Sequence, residues 1–218
     1  MSLSVKQFSV GGFDKNFSYI ICDKDSKAAA VVDPAGDTGI IFDEIKSAQL
    51  KIEKILLTHT HFDHTEGIGD FIQTFNDIHI YVHKNGVENL AEFPNIVEVE
   101  DKDLINISDN KIEVIFTPGH SDDSVCFYLP ETTNDNNEPA LISGDTLFVG
   151  GCGRTSEHRV KDLYESLYEI KNLPKNTIIY PGHDYGSSKT TVLGNELKTN
   201  KYYQVKNFNE FRRLRLNI

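Results

Sequence analysis

Between Thr58 and Gly67 the chain reads T-H-T-H-F-D-H-T-E-G, so His59, His61, Asp63 and His64 fall close together directly after an apolar β-type run. Imidazole and carboxylate donors without thiolate suit zinc, iron or manganese. On an extended or turning backbone, alternate side chains point the same way. His59 and His61 can therefore grip one ion while Asp63 and His64, at the start of a following helix, aim at a point a few ångströms off. One stretch can serve two metals. Histidines gathering by chance in a polar loop would not interleave with an aspartate in this way.

The same device recurs along the chain. An apolar run ends in Thr117-Pro118-Gly119-His120, another leads into Gly144-Asp145, and a third ends in Pro181-Gly182-His183. Each is a strand handing over to a glycine-containing turn that bears a ligand. Strand ends converging on one rim place a site at the edge of a sheet scaffold, where α/β proteins put their ligands. A consistent assignment sets one metal on His59, His61 and His120 and a second on Asp63, His64 and His183, with Asp145 bridging. Each ion keeps an open position, which marks a catalytic site. Two cations about 3.5–4 Å apart hold a shared water, lower its pKa towards neutrality and clamp the oxyanion formed when the hydroxide attacks a carbonyl. The expected chemistry is metal-assisted hydrolysis, with Asp63 and Asp145 as its catalytic carboxylates and two divalent ions, zinc before iron or manganese, as cofactors. His79, His83 and His158 lack such context and are expected to be structural or surface residues. Cys152, among glycines, is expected as a small residue in a tight turn.

The elements that must position these residues are legible as hydrophobic periods. Short β-type runs at 5–10, 17–22 and 28–32 predict an antiparallel meander. Apolar residues at helical spacing predict a helix over 38–50, then a strand over 52–57. Ile68, Phe71, Ile72 and Phe75 again recur at helical spacing, and 78–82 reads as a strand. Residues 84–95 predict a loop with some helix. Strands follow at 96–99, 104–107, 111–116 and 125–129, then a polar surface excursion at 131–138 and a strand at 140–143. The glycine-rich 150–154 predicts a turn, and 160–173 an amphipathic helix with Val160, Leu163, Tyr164, Leu167, Tyr168 and Ile170 on one face. After a strand at 177–180, a tail over about 187–218 carries two short helices, one at 208–214. Within it Arg212, Arg213 and Arg215, with Lys206, form a basic cluster in an acidic protein, either meeting an anionic thiol or solvating a helix end.

At 218 residues the chain can bury one substantial core, so 1–218 is expected as a single domain with that tail. The formal charge of −11 argues against a nucleic acid as main partner, because phosphate binding needs a concentrated basic surface. No apolar run approaches the ~18 residues of a membrane span. The first residues lack a secretory pattern, so a cytoplasmic location is expected. Three cysteines, Cys22, Cys126 and Cys152, predict no disulfide framework.

The pattern H-x-H-x-D-H followed by a distant His, Asp and His resembles the metallo-β-lactamase fold superfamily over nearly the whole chain. That resemblance implies an α/β (α+β) αββα sandwich, two mixed sheets face to face with helices on the outer faces and metals along one edge. Residues 143–154, ending Gly-Gly-Cys-Gly-Arg, and Gly182-His-Asp-Tyr185 look like glyoxalase II, which hydrolyses S-D-lactoylglutathione and related thioesters at a dinuclear centre. Carried over by position, Arg154 and Tyr185 contact the thiol carrier. Two features are unlike glyoxalase II: Thr155-Ser156 stand where an aromatic usually follows Arg154, and the helical tail is short. Cys-Gly-Arg-Thr155 and 189–196 look more like persulfide dioxygenases of the same superfamily, whose single iron would here sit on His59, His120 and Asp145. A small thiol ester is the expected substrate, with a non-enzymatic metal-binding module as a third reading.

Overall fold

The structure is a computed structural model describing residues 3–133 and 137–218. Strands β1 (Leu3–Gly11), β2 (Asn16–Asp23) and β3 (Ala28–Val32) form the expected antiparallel meander. Every residue of β3 is buried, as is nearly all of β2, the mark of strands covered on both faces. Helix α1 (Gly39–Ala48) lays Ile41 and Ile45 against this sheet and stops where Gln49 turns left-handed at φ 56°, two residues short of the expected end. It is a crossover, returning the chain to β4 (Lys51–Leu56) parallel to β3. A short α2 (Phe62–Thr65) and α3 (Ile68–Thr74) make the next crossover to β5 (His79–His83), also parallel. A 3₁₀ turn over Lys84–Leu90 leads to β6 (Ile96–Val99), which completes a mixed sheet in the order β1-β2-β3-β4-β5-β6.

The second sheet starts with β7 (Leu104–Ile107), β8 (Asn110–Phe116), β9 (Val125–Leu129) and β10 (Ala140–Gly144), paired antiparallel in turn. A small ribbon of β11 (Leu147–Phe148) and β12 (Gly151–Cys152) occupies part of the expected turn at 150–154. Helix α4 (Val160–Ile170) crosses back to β13 (Ile178–Pro181), parallel to β10, and β14 (Thr191–Val192) closes the edge. The tail ends in α5 (Leu193–Thr199) and α6 (Phe208–Leu216). Tyr168, expected on the apolar face of α4, is half exposed instead. Of the excursion expected at 131–138, residues 134–136 lie outside the described residues.

Three apolar clusters fix the layering. Phe17, Tyr19, Ile21, Val32, Leu56, Val114, Phe127 and Ile142 fill the space between the sheets. Ile41, Ile45, Ile55, Phe71 and Ile80 join α1 and α3 to the outer face of the first sheet. Leu141, Leu163, Leu167, Ile170, Leu193 and Phe211 join α4, α5 and α6 to the outer face of the second. The result is the expected αββα sandwich. Each such fully buried side chain contributes roughly 1.5–3 kcal/mol.

The sheets are also stitched together by backbone. Phe17 N–H donates to the Gly182 carbonyl (2.8 Å) and Val125 N–H to the Thr58 carbonyl (2.8 Å) at one rim. At the far end Thr133 N–H donates to the Leu3 carbonyl (2.7 Å). Among the described residues no helix is long and apolar enough to cross a membrane.

Candidate metal centre

All four strand ends singled out in the sequence meet at the stitched rim. β4 supplies His59 and His61, β8 leads to His120, β10 to Asp145 and β13 to His183, while α2 carries Asp63 and His64. Two turns need glycine for close approach. A Cβ on Gly182 would sit 2.4 Å from Asp145 Oδ1, and one on Gly153 would sit 2.0 Å from the Asp145 carbonyl and 3.0 Å from His120 Cβ.

In the first triad, His61 Nδ1 lies 3.0 Å from both His59 Nε2 and His120 Nε2. In the second, His64 Nε2 and His183 Nε2 are 3.3 Å apart, and Asp63 Oδ2 lies 3.7 Å from the former and 3.5 Å from the latter. Asp145 stands between: Oδ1 is 3.2 Å from His183 Nε2 and Oδ2 is 3.4 Å from His120 Nε2. Its buried Oδ1 nevertheless has no aligned hydrogen-bond donor. Ring nitrogens and a bare carboxylate oxygen converging without donors between them fit cations. The donor atoms of the His59–His61–His120, His59–His64–Asp145 and Asp63–His64–His183 groups each lie within 4.8 Å of one another.

The outer face of each ring explains why its inner nitrogen is free. His120 Nδ1 donates to the Arg154 carbonyl (2.9 Å) and His183 Nδ1 to the Asp14 carbonyl (2.8 Å), because a carbonyl only accepts. His64 Nδ1 donates to Asp33 Oδ2 (3.0 Å). The Thr58 hydroxyl also donates to Asp33 Oδ2 (2.6 Å), so it can only accept from His59 Nδ1 (3.2 Å). Four histidines thus carry their protons outward and turn Nε2 inward, the tautomer that ligation needs.

Asp33, Thr58, Asp14 and Asn16 were not identified from sequence. Asp33 Oδ1 also takes the Thr58 N–H (2.7 Å), and Asn16 Nδ2 donates to Asp63 Oδ2 (3.1 Å) and to the Asp63 carbonyl (2.9 Å). The usable signal was a carboxylate closing a buried strand before Pro34; Asp14 and Asn16 had none.

Charge divides the triads. Burial drives His59 well below the ordinary imidazole range and lowers His120 as well. Burial also opposes charge on His64, yet the Asp33 and Asp145 carboxylates outweigh it and hold that ring well above the ordinary range. His183 is raised too, its burial outweighed by Asp145. Burial disfavours the Asp145 carboxylate, but His64 and His183 override this and hold it well below the usual range.

Arg154 is exposed beside the site. Tyr185 is half exposed, its ring stacked on His183 at 4.8 Å and its hydroxyl donating to the Asp14 carboxylate. His79 and His158 are exposed, and His83 is buried and stacked on Phe116, in line with their non-ligand reading. Cys152 is a free thiol in β12, pushed up to about 12 by burial. The basic cluster does not act as a group: Arg212 pairs with Glu157, while Arg215 donates to the Gly153 carbonyl.

Known proteins share this architecture. The hydroxyacylglutathione hydrolase of Hydrogenovibrio crunogenus is 34% identical over 78% of this chain and 59% of its own length. A metallo-beta-lactamase from Staphylococcus aureus superposes with TM-score 0.84 at 29% identity, covering 99% of this chain and 66% of that one. ETHE1 from Myxococcus xanthus superposes with TM-score 0.82 at 26% identity, covering 100% and 91%. The chain therefore spans less than two thirds of the hydrolase it matches. The sequence profile of the Metallo-beta-lactamase superfamily matches residues 11–183, and with this fold and donor set, which imply divalent metal ions, the chain belongs to that superfamily.

Proposed function

We propose that the protein is a metal-dependent hydrolase of a small thiol's thioester, of hydroxyacylglutathione type. The observation carrying this reading is the pair of complete triads around one Asp145. Relatives bearing the name hydroxyacylglutathione hydrolase support the substrate class. His59, His61 and His120 would hold one ion, Asp63, His64 and His183 the other, and Asp145 both, with zinc expected before iron or manganese. When bound, such a pair supplies Lewis-acid polarisation of the thioester carbonyl and an acidified water.

The remaining work falls to the chain itself. Asp33 fixes His64 directly and His59 through Thr58, and peptide carbonyls fix His120 and His183, so these four rings need little reorganisation. The Arg154 guanidinium binds a carboxylate of the thiol carrier by charge-assisted hydrogen bonds, and the Tyr185 ring flanks it. Water adds to the carbonyl carbon, the C–S bond breaks, and the products are a carboxylic acid and a thiol. A thiolate, with a parent pKa of about 8.5, leaves with little acid assistance. Residues 1–218 serve as one domain, with 187–218 as its tail.

A persulfide-oxidising site on His59, His120 and Asp145 alone would leave the Asp63–His64–His183 triad idle, so the geometry favours the hydrolase. Metal content per chain and thiol release from S-lactoylglutathione test the reading together. Near two ions per chain with thioester turnover is expected. A single iron, no thioester turnover and oxygen uptake with glutathione persulfide would overturn it.

A further inference from the structure

We propose that Arg215, in the last turn of α6, is a positioning residue that sets His120 and Arg154 through the Gly153 carbonyl. The inference rests on the metal-site reading above. Arg215 Nε donates to that carbonyl at 2.7 Å, across 62 residues of sequence. Its Nη1 donates to the Tyr202 hydroxyl at 3.2 Å, and the guanidinium lies over the Tyr202 ring, 5.7 Å from its centroid. Tyr202 in turn packs on the fully buried Phe211 of α6. The guanidinium is therefore held in place before it meets the loop, and its planar fork loses little entropy in doing so.

What it grips is the segment that orients a ligand. Gly153 lies against the His120 ring, and the next carbonyl, that of Arg154, accepts the His120 Nδ1 proton. The Thr155 hydroxyl donates to the Gly119 carbonyl (2.6 Å), just before His120. A shift of 153–155 would turn the imidazole and move the Arg154 side chain together. The tail holds the upstream half of the same loop as well. The buried Glu196 carboxylate accepts the Gly150 N–H (2.9 Å), and Asn200 Nδ2 donates to the Gly151 carbonyl (3.0 Å). Arg215 completes this brace where the loop touches the metal ligand.

The test uses the full chain with Arg215→Ala and Arg215→Lys, and Arg213→Ala as control, since Arg213 is exposed on the same helix. Zinc affinity is measured by chelator competition, and the His120 Nδ1–H by NMR of histidine-labelled protein. Removal of a residue that orients a ligand costs roughly 10–100-fold in metal affinity. Arg215→Ala is expected to weaken one of the two ions by about tenfold and to broaden or lose the His120 Nδ1–H signal, with the other ion unchanged. Arg215→Lys, which keeps a donor and a charge, recovers part of both; Arg213→Ala changes neither. An Arg215→Ala protein that melts lower but keeps both affinities and the His120 signal would make Arg215 merely structural and overturn the proposal. If Arg215→Ala does not fold, Tyr202→Phe, which removes only the Nη1 acceptor, must show the same selective weakening in smaller measure, and an unchanged affinity there overturns it. None of these readouts needs turnover, so failure of the thioester assay in the wild-type protein would sink the proposed reaction and leave this inference standing.

Discussion

The two triads differ in what stands behind them. His59, His61 and His120 range from buried to exposed, and the ring of His120 is backed by a neutral peptide carbonyl. Asp63, His64 and His183 lie deeper, with a buried carboxylate, Asp33, behind His64 and the shared Asp145 beside both rings. At His59 and His120 burial outweighs the pull of Asp145 and holds both rings below the ordinary imidazole range, whereas the carboxylates hold His64 and His183 above it. Three histidines on one side and two histidines with an aspartate on the other therefore prepare two unlike sites. The first favours the neutral imidazole that a cation needs, and the second favours the protonated ring that competes with one.

The largest effect should come from abolishing the distinction. Asp145→Ala removes the carboxylate that stands between the two triads. We expect metal content to fall at both sites and thioester turnover to drop about 10³-fold, the loss of a Lewis-acid contribution of several kcal/mol. Elemental analysis and initial rates check this. His61→Ala should separate the triads instead, leaving about one ion per chain, a retained circular dichroism spectrum and turnover lowered about 10²-fold. Unchanged turnover in His61→Ala would break the mechanism.

Asp33→Asn tests the buried carboxylate that reaches both triads. It should weaken metal binding 10–100-fold, more at the His64 site, and destabilise the metal-free fold by about 3 kcal/mol, read by denaturant titration. The pH dependence sharpens the contrast further. His64 and His183 have raised values, so their contribution to metal-free stability is fully present below about pH 6.5 and fades as pH rises through those values. His59 and His120 have lowered values, so their cost appears as pH falls below about 6.5, where the unfolded chain takes up protons first. Asp145 is lowered, so its contribution is present above about pH 4 and is lost as pH falls through its folded value. NMR titration of metal-free protein should find two imidazoles neutral and two charged near pH 6.5. Metal binding at the second triad should weaken more steeply on acidification. The smallest effect is expected at the rim, where Arg154→Ala raises KM about tenfold with kcat nearly unchanged, the worth of one charge-assisted contact.

The metal ligands were legible because each follows a strand end marked by a local pattern, and the H-x-H-x-D-H stretch after β4 folds as a turn and a helix start. The residues behind them were not. Asp33 meets Thr58 and His64 only because β3 and β4 lie side by side, a pairing no local signal announces. Asp14 contributes a backbone carbonyl to His183, for which its side chain carries no sign. Most long strands and helices were found within a residue or two, since their hydrophobic period is set by burial on one face or both, while α4 stops at Ile170, three residues before its expected end. The two-residue strands β11, β12 and β14 are too short to show a period. The arginine cluster shows the limit of charge patterning: spacing put Arg212, Arg213 and Arg215 together, while packing gave them separate partners.

The backbone stitches between the sheets bear on how long the native state lasts. Every triad draws ligands from both sheets, so an ion in either one clamps together surfaces that separate on unfolding. Bonds of this kind, joining residues 67 to 165 positions apart, form late and break only when the whole unit opens. The amides of Phe17 and Val125 should thus exchange with deuterium at the slowest rate in the molecule, and stripping the metals should shorten that lifetime. Those two amides make the clamp measurable without any substrate.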